Sequence, residues 1–562
     1  MSGFFTKEAI FASAGYNRWR VPPASVAIHL CIGSVYAWSS FNAPLTRVLG
    51  VVTPAADDWS LSLVVAIFTV AIVCLGLTAA VAGSWLEKVG PRTVGLVAAV
   101  CWSGGFLLGG IGILLHQLWL LYLGYGVLGG CGLGLGYVSP VSTLIRWFPD
   151  RRGLATGMAI MGFGGGAIIG APLQEELVRR FYQAPQFLGA TADVKLTTTA
   201  GRRYADVSGQ STEVVVVSEK DVPQMIVRGQ PGVYVVGTGS TGVAETFFTL
   251  GAIYFVVMVL AALSYRLPAP GWQPAGWTAP DPQLAAKKMV SQSHVALNTV
   301  LRTPQFYLLW IVLCFNVTAG IGVLGVAKTI MTDLFGAALP QLVTSDFAKM
   351  YVVMISLFNL LGRFFWASAS DYLGRKPTYA IFLILGTLLY ASIPLIAQQV
   401  SASPSVVWLV VFYAVTMVIF TMYGGGFATI PAYLADLFGT RFVGGIHGRL
   451  LTAWSTAGVL GPMALASLRE RTLQQAIKNL AAQADPAAFL QKFGAPISDL
   501  SPLIQSKTVT ISKLLEVCPP GTSDPSSTLY NTTMYFMAGL LAIAAVANAC
   551  ITPVHERHAE KN

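Results

Sequence analysis

Twelve stretches of this chain are each long and apolar enough to cross a bilayer as a helix, and that constrains everything else about it. Crossing hydrocarbon takes roughly 20 apolar residues in helical form, because nothing in lipid satisfies open backbone groups. Such stretches run near 22–45, 60–82, 93–115, 118–143, 154–177, 246–265, 304–327, 348–368, 378–398, 405–433, 447–468 and 531–552. Only 11% of the 562 residues are charged and 54% are hydrophobic. A soluble chain carries about 25% charged residues, so a water-soluble globule is excluded. The expectation is an all-α, twelve-span membrane protein.

The spans fall into two sets of six. Between them, residues 266–303 are polar and rich in proline (Pro268, Pro270, Pro274, Pro280, Pro282), followed by Lys287 and Lys288. This reads as a cytoplasmic linker joining an N-terminal bundle over 1–265 to a C-terminal bundle over 304–562. Basic residues mark cytoplasmic loops. With the N-terminus inside, 18 lie in cytoplasmic segments and 3 (Arg47, Lys328, Lys349) in the opposite short loops and span ends. Both termini are thus expected in the cytoplasm, in a plasma membrane of the bacterial inner-membrane kind, and the net charge of +10 reflects those loops rather than a nucleic-acid partner. Two long insertions, 178–245 and 469–530, face outward. The first carries strand-like runs, Glu213-Val-Val-Val-Val217 and Gly232-Val-Tyr-Val-Val236; the second reads as partly helical.

The halves repeat one another. Glu87-Lys-Val-Gly90-Pro-Arg92 follows span 2, and Asp371-Tyr-Leu-Gly374-Arg375-Lys376 follows span 8. Each sets an acid, a turn glycine and a base at one spacing in a tight loop. Glu87 with Arg92, and Asp371 with Arg375, are read as conformational latches. A second pair follows spans 4 and 10: Trp147-Phe-Pro-Asp150-Arg-Arg-Gly153 and Leu437-Phe-Gly-Thr-Arg441. Internal duplication of this kind implies a central binding site and rocking about it.

The residue that carries chemistry is Arg363 in span 8, eight residues before Asp371 and fourteen after Lys349. Those separations are about 12 Å and about 21 Å along a helix axis. An arginine at that depth costs about 2.5–3.5 kcal/mol even on the lenient insertion scale. Snorkelling to the cytoplasmic face is the bland explanation. Pairing with another helix would show as an acid in a span interior, and the sequence places none there; Asp58, Glu175, Glu176 and Glu245 lie at outward ends. A buried guanidinium instead suits an anion brought in from outside, its planar fork matching a carboxylate. Asn359, four residues earlier, shares the helix face and is read as a partner for Arg363 or for substrate. Tyr36, Tyr137, Tyr423 and Trp454, in the glycine-containing motifs of spans 1, 4, 10 and 11, are read as candidate substrate contacts. Aromatics in spans more often face lipid or core, and glycine and proline breaks bring Tyr137, Tyr423 and Trp454 level with that alternative. His447, at the cytoplasmic start of span 11, is read as a loop or gate contact that could take part in proton coupling.

Other classes are weaker. An enzyme would need clustered histidines, cysteines or acids facing one cavity, and none is evident. Six of the seven cysteines fall in apolar stretches, so neither a disulfide framework nor a metal site is expected, and no cofactor is expected either. A carboxylate sensor without transport remains the alternative outside transport.

Together, Gly33-Ser-Val-Tyr-Ala-Trp38, Tyr137-Val-Ser-Pro140, Trp147-Phe-Pro-Asp-Arg-Arg-Gly-Leu-Ala-Thr-Gly157, Asn359-Leu-Leu-Gly-Arg363 and Tyr423-Gly-Gly-Gly-Phe-Ala-Thr-Ile-Pro431 resemble the oxalate:formate antiporter family of the major facilitator superfamily. Bacterial monocarboxylate transporters are similar around the span 8 arginine. The resemblance implies two pseudo-symmetric six-helix bundles, alternating access and transport of small organic carboxylates by a monomer in contact with membrane lipid. It also implies that Arg363 binds a substrate carboxylate, with tyrosines and a tryptophan lining the cavity. One departure matters. Oxalate-exchanging members carry a second buried base, a lysine in span 11, where this chain reads Thr452-Ala-Trp454-Ser455. A dianion beside one cation would leave a buried charge uncompensated. The reading is therefore a monocarboxylate such as formate, lactate or pyruvate, moved by anion exchange, with proton symport as the alternative.

Overall fold

The computed structural model describes residues 3, 6–199, 202–219, 221–222, 225–278, 289–291, 293–493, 495–505 and 509–560. Of the linker, Pro280, Pro282, Lys287 and Lys288 lie outside the described residues, as does the basic Lys561. Twelve described helices are long and apolar enough to cross a membrane. Span 1 is Arg18–Leu45, span 2 Leu61–Val89, span 3 Pro91–Leu114, span 4 Leu118–Trp147, span 5 Arg152–Phe181 and span 6 Val243–Ser264. Span 7 is Pro304–Leu324, span 8 Asp346–Leu373, span 9 Arg375–Ala402, span 10 Val406–Phe438, span 11 Val443–Ala481 and span 12 Pro525–Ala549. Each coincides with a stretch read from the sequence. Span 11 overruns its apolar stretch most, because Arg469-Glu-Arg-Thr-Leu-Gln-Gln-Ala-Ile-Lys478 is polar yet made largely of strong helix formers.

The repeated loops share one backbone device. Gly90 ends span 2 with φ 84°, its N–H donating to the Leu86 carbonyl at 2.9 Å, and Pro91 opens span 3. Gly374 ends span 8 with φ 89°, its N–H donating to the Ser370 carbonyl at 3.0 Å, and Arg375 opens span 9. A positive φ at a helix end favours glycine, which is why that residue recurs at the same place in both halves. Elsewhere the spans are irregular where the motifs lie. Span 1 passes from α-helix (Val21–Gly33) to 3₁₀-helix (Ser34–Phe41). Span 4 includes a π-helical turn over Tyr122–Gly129, and Pro140 and Pro431 sit inside spans 4 and 10.

The chain forms two compact units. The first is Met1–Arg302, Leu434–Ser455 and Val554–Asn562; the second is Thr303–Tyr433 and Thr456–Pro553. Spans 10 and 11 are thus each divided between units: the last turn of span 10 and the start of span 11 belong with spans 1–6. Inside the first unit, small residues let these backbones meet. Gly83 of span 2 faces Gly445, and Gly448 faces the Ala79 carbonyl, with no room for a Cβ on Gly83 or Gly448. The Ser455 hydroxyl donates to the Ile72 carbonyl at 2.7 Å.

The 178–245 insertion folds as an antiparallel five-stranded sheet, β1 Phe187–Gly189, β2 Leu196–Thr199, β3 Arg202–Val207, β4 Gln210–Val217 and β5 Gly232–Val235, in the order β1-β5-β4-β3-β2. The β3–β4 turn places Ser208 and Gly209 at φ 54° and 85°, the left-handed pair that two-residue hairpins require. Alternation along β4 sends Val215 and Val217 with Tyr234 against Val52, just after span 1. Val214 packs on the opposite face with Ala205, Val233 and Val235. Arg202 pins the sheet to Asp57 through two bonds of 2.7 Å. In the second insertion span 11 continues to Ala481, followed by short helices Pro486–Phe493, Leu500–Gln505 and Ile511–Leu515.

Candidate functional site

The second unit holds Arg363, Asn359 and Tyr423. Arg363 is completely buried on span 8, and its Nε donates to Asn359 Oδ1 at 3.1 Å, one turn earlier on the same face. That bond sets the guanidinium plane. Span 10 supplies Phe427, whose ring centroid lies 5.3 Å from the guanidinium carbon, within cation–π range. Tyr423 lies 5.4 Å from Phe427, edge to face. Spans 8 and 10 come this close because a Cβ on Gly424 would strike the Asn359 carbonyl. The next glycines are gripped from two sides: the Tyr379 hydroxyl of span 9 donates to the Gly426 carbonyl, and the buried Asn316 of span 7 packs on Gly426. A guanidinium fixed by an amide and backed by an aromatic face suits a planar anion received through two parallel hydrogen bonds. Sequence reasoning misses Phe427 and Asn316 as site residues. Phe427 lies within the quoted span 10 stretch, and the signal for Asn316 is an amide in the apolar interior of span 7.

The first unit holds Tyr36, Tyr137, Trp454 and His447. Trp454, fully buried at the start of span 11, lies 6.3 Å from Tyr36, 5.2 Å from Tyr137 and 5.3 Å from Phe163 between ring centroids. Phe163 of span 5 is the hub, 5.2 Å from both tyrosines. His447 is buried, with its ring 5.8 Å from Tyr137. His29 of span 1 joins this group, 5.1 Å from Tyr137. His29 and Phe163 are likewise missed by sequence reasoning; the signal for His29 is an imidazole midway along an apolar stretch. The candidate residues therefore form two groups, one in each unit.

The charged loops pair differently from expectation in one half. Asp371 meets Arg375 at 2.7 Å, and Arg375 also donates to the Ser370 hydroxyl. Glu87 instead pairs with Arg146 of span 4, while Arg92 reaches the Tyr265 carbonyl at 3.5 Å. Arg92 is turned toward the end of span 6, and Arg146 is the base that pairs with the Glu87 carboxylate. Lys7 donates to the Glu87 carbonyl at 3.3 Å, and burial, with Arg146 nearby, holds its pKa below the ordinary lysine range. Two further ion pairs flank this cluster in the first unit: Arg18 clamps Asp150 with bonds of 2.6 and 2.9 Å, and Arg152 meets Asp436 at 2.8 Å. Asp436 was missed because it lies beyond the apolar stretch of span 10. Among the described residues no group of three or more His, Cys, Asp or Glu could hold a metal ion.

The Major Facilitator Superfamily profile matches residues 26–190 and 232–462. The oxalate:formate antiporter of Oxalobacter formigenes is 25% identical over 448 residues, 79% of this chain and 83% of that one. The apicoplast pyruvate carrier 1 of Toxoplasma gondii is 23% identical over 468 residues, 75% of this chain and 78% of that one. Among solved structures, the fucose:proton symporter of Escherichia coli aligns with a TM-score of 0.50 over 94% of this chain and 99% of that chain at 11% identity, a likeness of fold alone. With twelve spans, duplicated loops and a profile match over most of its length, the chain belongs to the Major Facilitator Superfamily and is a membrane transporter, not an enzyme.

Proposed function

We propose that this transporter carries small organic monocarboxylates by alternating access, with the carboxylate held by Arg363. The observation that carries the reading is the completely buried guanidinium, oriented by Asn359 and backed by Phe427. Relatives named for oxalate and formate and for pyruvate support the carboxylate class. Trp454, standing where the oxalate exchangers are read to carry a lysine, supports one carboxylate over two. Substrate binding neutralises Arg363, and the loaded carrier then changes state, which makes anion exchange the simplest mode. Tyr423 contacts substrate from the second unit in this reading, and Tyr36, Tyr137 and Trp454 do so from the first; the pairs Asp371–Arg375 and Glu87–Arg146, with Arg92, hold one conformational state. In this reading the protein works as a monomer in a plasma membrane, with both termini cytoplasmic and both insertions outward.

Proteoliposomes preloaded with formate, lactate, pyruvate or oxalate test it by counterflow of labelled substrate. Uptake should be accelerated by internal monocarboxylate in wild type. In Arg363→Gln, losing one partner of a buried charge pair costs about 2–5 kcal/mol, a drop of about 30-fold or more. Normal transport by Arg363→Gln would sink the carboxylate assignment. A second reading, proton–monocarboxylate symport, is favoured by His447, a buried titratable group inside the first unit.

A further inference from the structure

The group of rings in the first unit holds two histidines in unlike surroundings. His29 on span 1 is fully buried. Its Nδ1 lies 2.5 Å from the Ala159 carbonyl oxygen and its Nε2 3.2 Å from the Tyr137 carbonyl oxygen. A carbonyl can only accept. Neutral imidazole carries one N–H and one lone pair, so it can donate to one of these oxygens while its lone pair confronts the other. Imidazolium donates to both. The backbone around His29 is thus built for the protonated ring. His447 is the opposite case: it too is buried, and neither ring nitrogen has a hydrogen-bond partner among the described residues, which in an apolar setting favours the neutral ring. Both lie beside Tyr137, with ring centroids 5.1 and 5.8 Å from it.

We infer that His29 and His447 form a proton-binding site in the first unit, through which carboxylate movement is coupled to a proton. The inference rests on the symport reading for its cargo only; the site itself would bind a proton with no carboxylate present. Two imidazolium ions beside one ring in a low-dielectric interior repel strongly, so the pair holds one proton at a time. His29 accepts it by protonation of its remaining ring nitrogen and gains a second donor. His447, with a vacant acceptor nitrogen, is the station that exchanges it with the adjoining loop.

The other titratable groups nearby come from every element around them. Tyr137 of span 4 and Tyr36 of span 1 share the group of rings, each 5.2 Å from Phe163, while Cys31 lies two residues along span 1 from His29 and Tyr254 of span 6 lies near Cys31. The part of span 5 that touches His29, at Gly162 and Phe163, adds none among the described residues. Toward the short-loop end, Glu87 of span 2 lies beside Gly444 and is paired with Arg146 of span 4. On span 11 itself, Arg449 is bonded to the Leu297 carbonyl and to Asn298. Among these described groups the Glu87–Arg146 pair is already compensated, which leaves the two imidazoles as the proton acceptors of the group.

The test uses full-length protein in proteoliposomes on a sensor membrane. A step from about pH 8 to pH 5, with no carboxylate present, should displace charge transiently in wild type, and less in His29→Gln and in His447→Gln. With carboxylate present, coupling one proton to one monoanion allows accumulation of up to about tenfold per pH unit of gradient. In each variant that accumulation ratio should fall toward one. A wild type with no displacement on the pH step overturns the inference, whatever the variants do. So does displacement that is undiminished in both variants. A histidine-dependent displacement in a protein that moves none of the carboxylates supports the proton site while removing the cargo assignment, so the two failures are distinguishable.

Discussion

Arg363 and Asn359 were legible because helix geometry alone puts residues four apart on one face, and the 3.1 Å bond between them follows directly. A carboxylate built onto that face should compete with substrate. In Asn359→Asp the new side chain would form an internal ion pair with Arg363, and counterflow should fall at least as far as in Arg363→Gln while the protein still folds. Flux close to wild type would mean that the guanidinium does not receive the anion. Trp454→Lys probes the opposite property. A second cation should raise the preference for oxalate over formate in competition assays, with some loss of thermal stability, since the new ammonium enters a site walled by Tyr36, Tyr137 and Phe163. An unchanged preference would remove residue 454 from substrate selection. Phe427, Asn316 and His29 escaped notice because their importance lies in what they touch across helices, which one-dimensional spacing does not encode.

At the scale of elements, the helices were readable from apolar length and the paired loops from their acid–glycine–base spacing. Strands in the first insertion were readable as well, because Val214, Val215, Val216 and Val217 form a β-branched run. Strand order and anchoring were not, since β1 pairs with β5 across most of the insertion. Asp57 lies outside the spans, and its carboxyl is held below the usual range, first by the hydrogen bond from Arg202. A depressed folded-state pKa means the contact contributes fully above the unfolded value, near about 3.9. The contribution is lost as pH falls through the lower folded value. Limited proteolysis of residues 187–235 should therefore be flat from about pH 5 to 8 and rise in stronger acid. Arg202→Ala should be cut faster throughout the neutral range. Equal rates for wild type and variant would show that the Asp57 clamp does not hold the sheet.

At the scale of the whole molecule, the first unit takes in Leu434–Ser455 from spans 10 and 11, with Arg152 bound to Asp436 and Ser455 bound to Ile72. A fragment ending at residue 302 lacks that segment and leaves the small-residue face of span 2 uncovered. Expressed alone it should aggregate or be degraded, and co-expression with residues 303–562 should restore a detergent-stable complex. A stable, monodisperse fragment 1–302 would show that the segment is dispensable to the unit. Hydrophobic length and internal repetition determined, from the sequence by itself, that this is a twelve-span membrane protein of two related halves with one arginine inside span 8, and its motifs carried the resemblance to a transporter family. These are local properties, set by lipid solvation and helix geometry over runs of about 20 residues. Only the tertiary structure decided which base answers Glu87, which rings enclose Trp454, that two backbone carbonyls bracket His29, and that spans 10 and 11 are divided between units. Those outcomes depend on side-chain packing between segments distant in the chain, where close contact and burial, not chain spacing, select the partner.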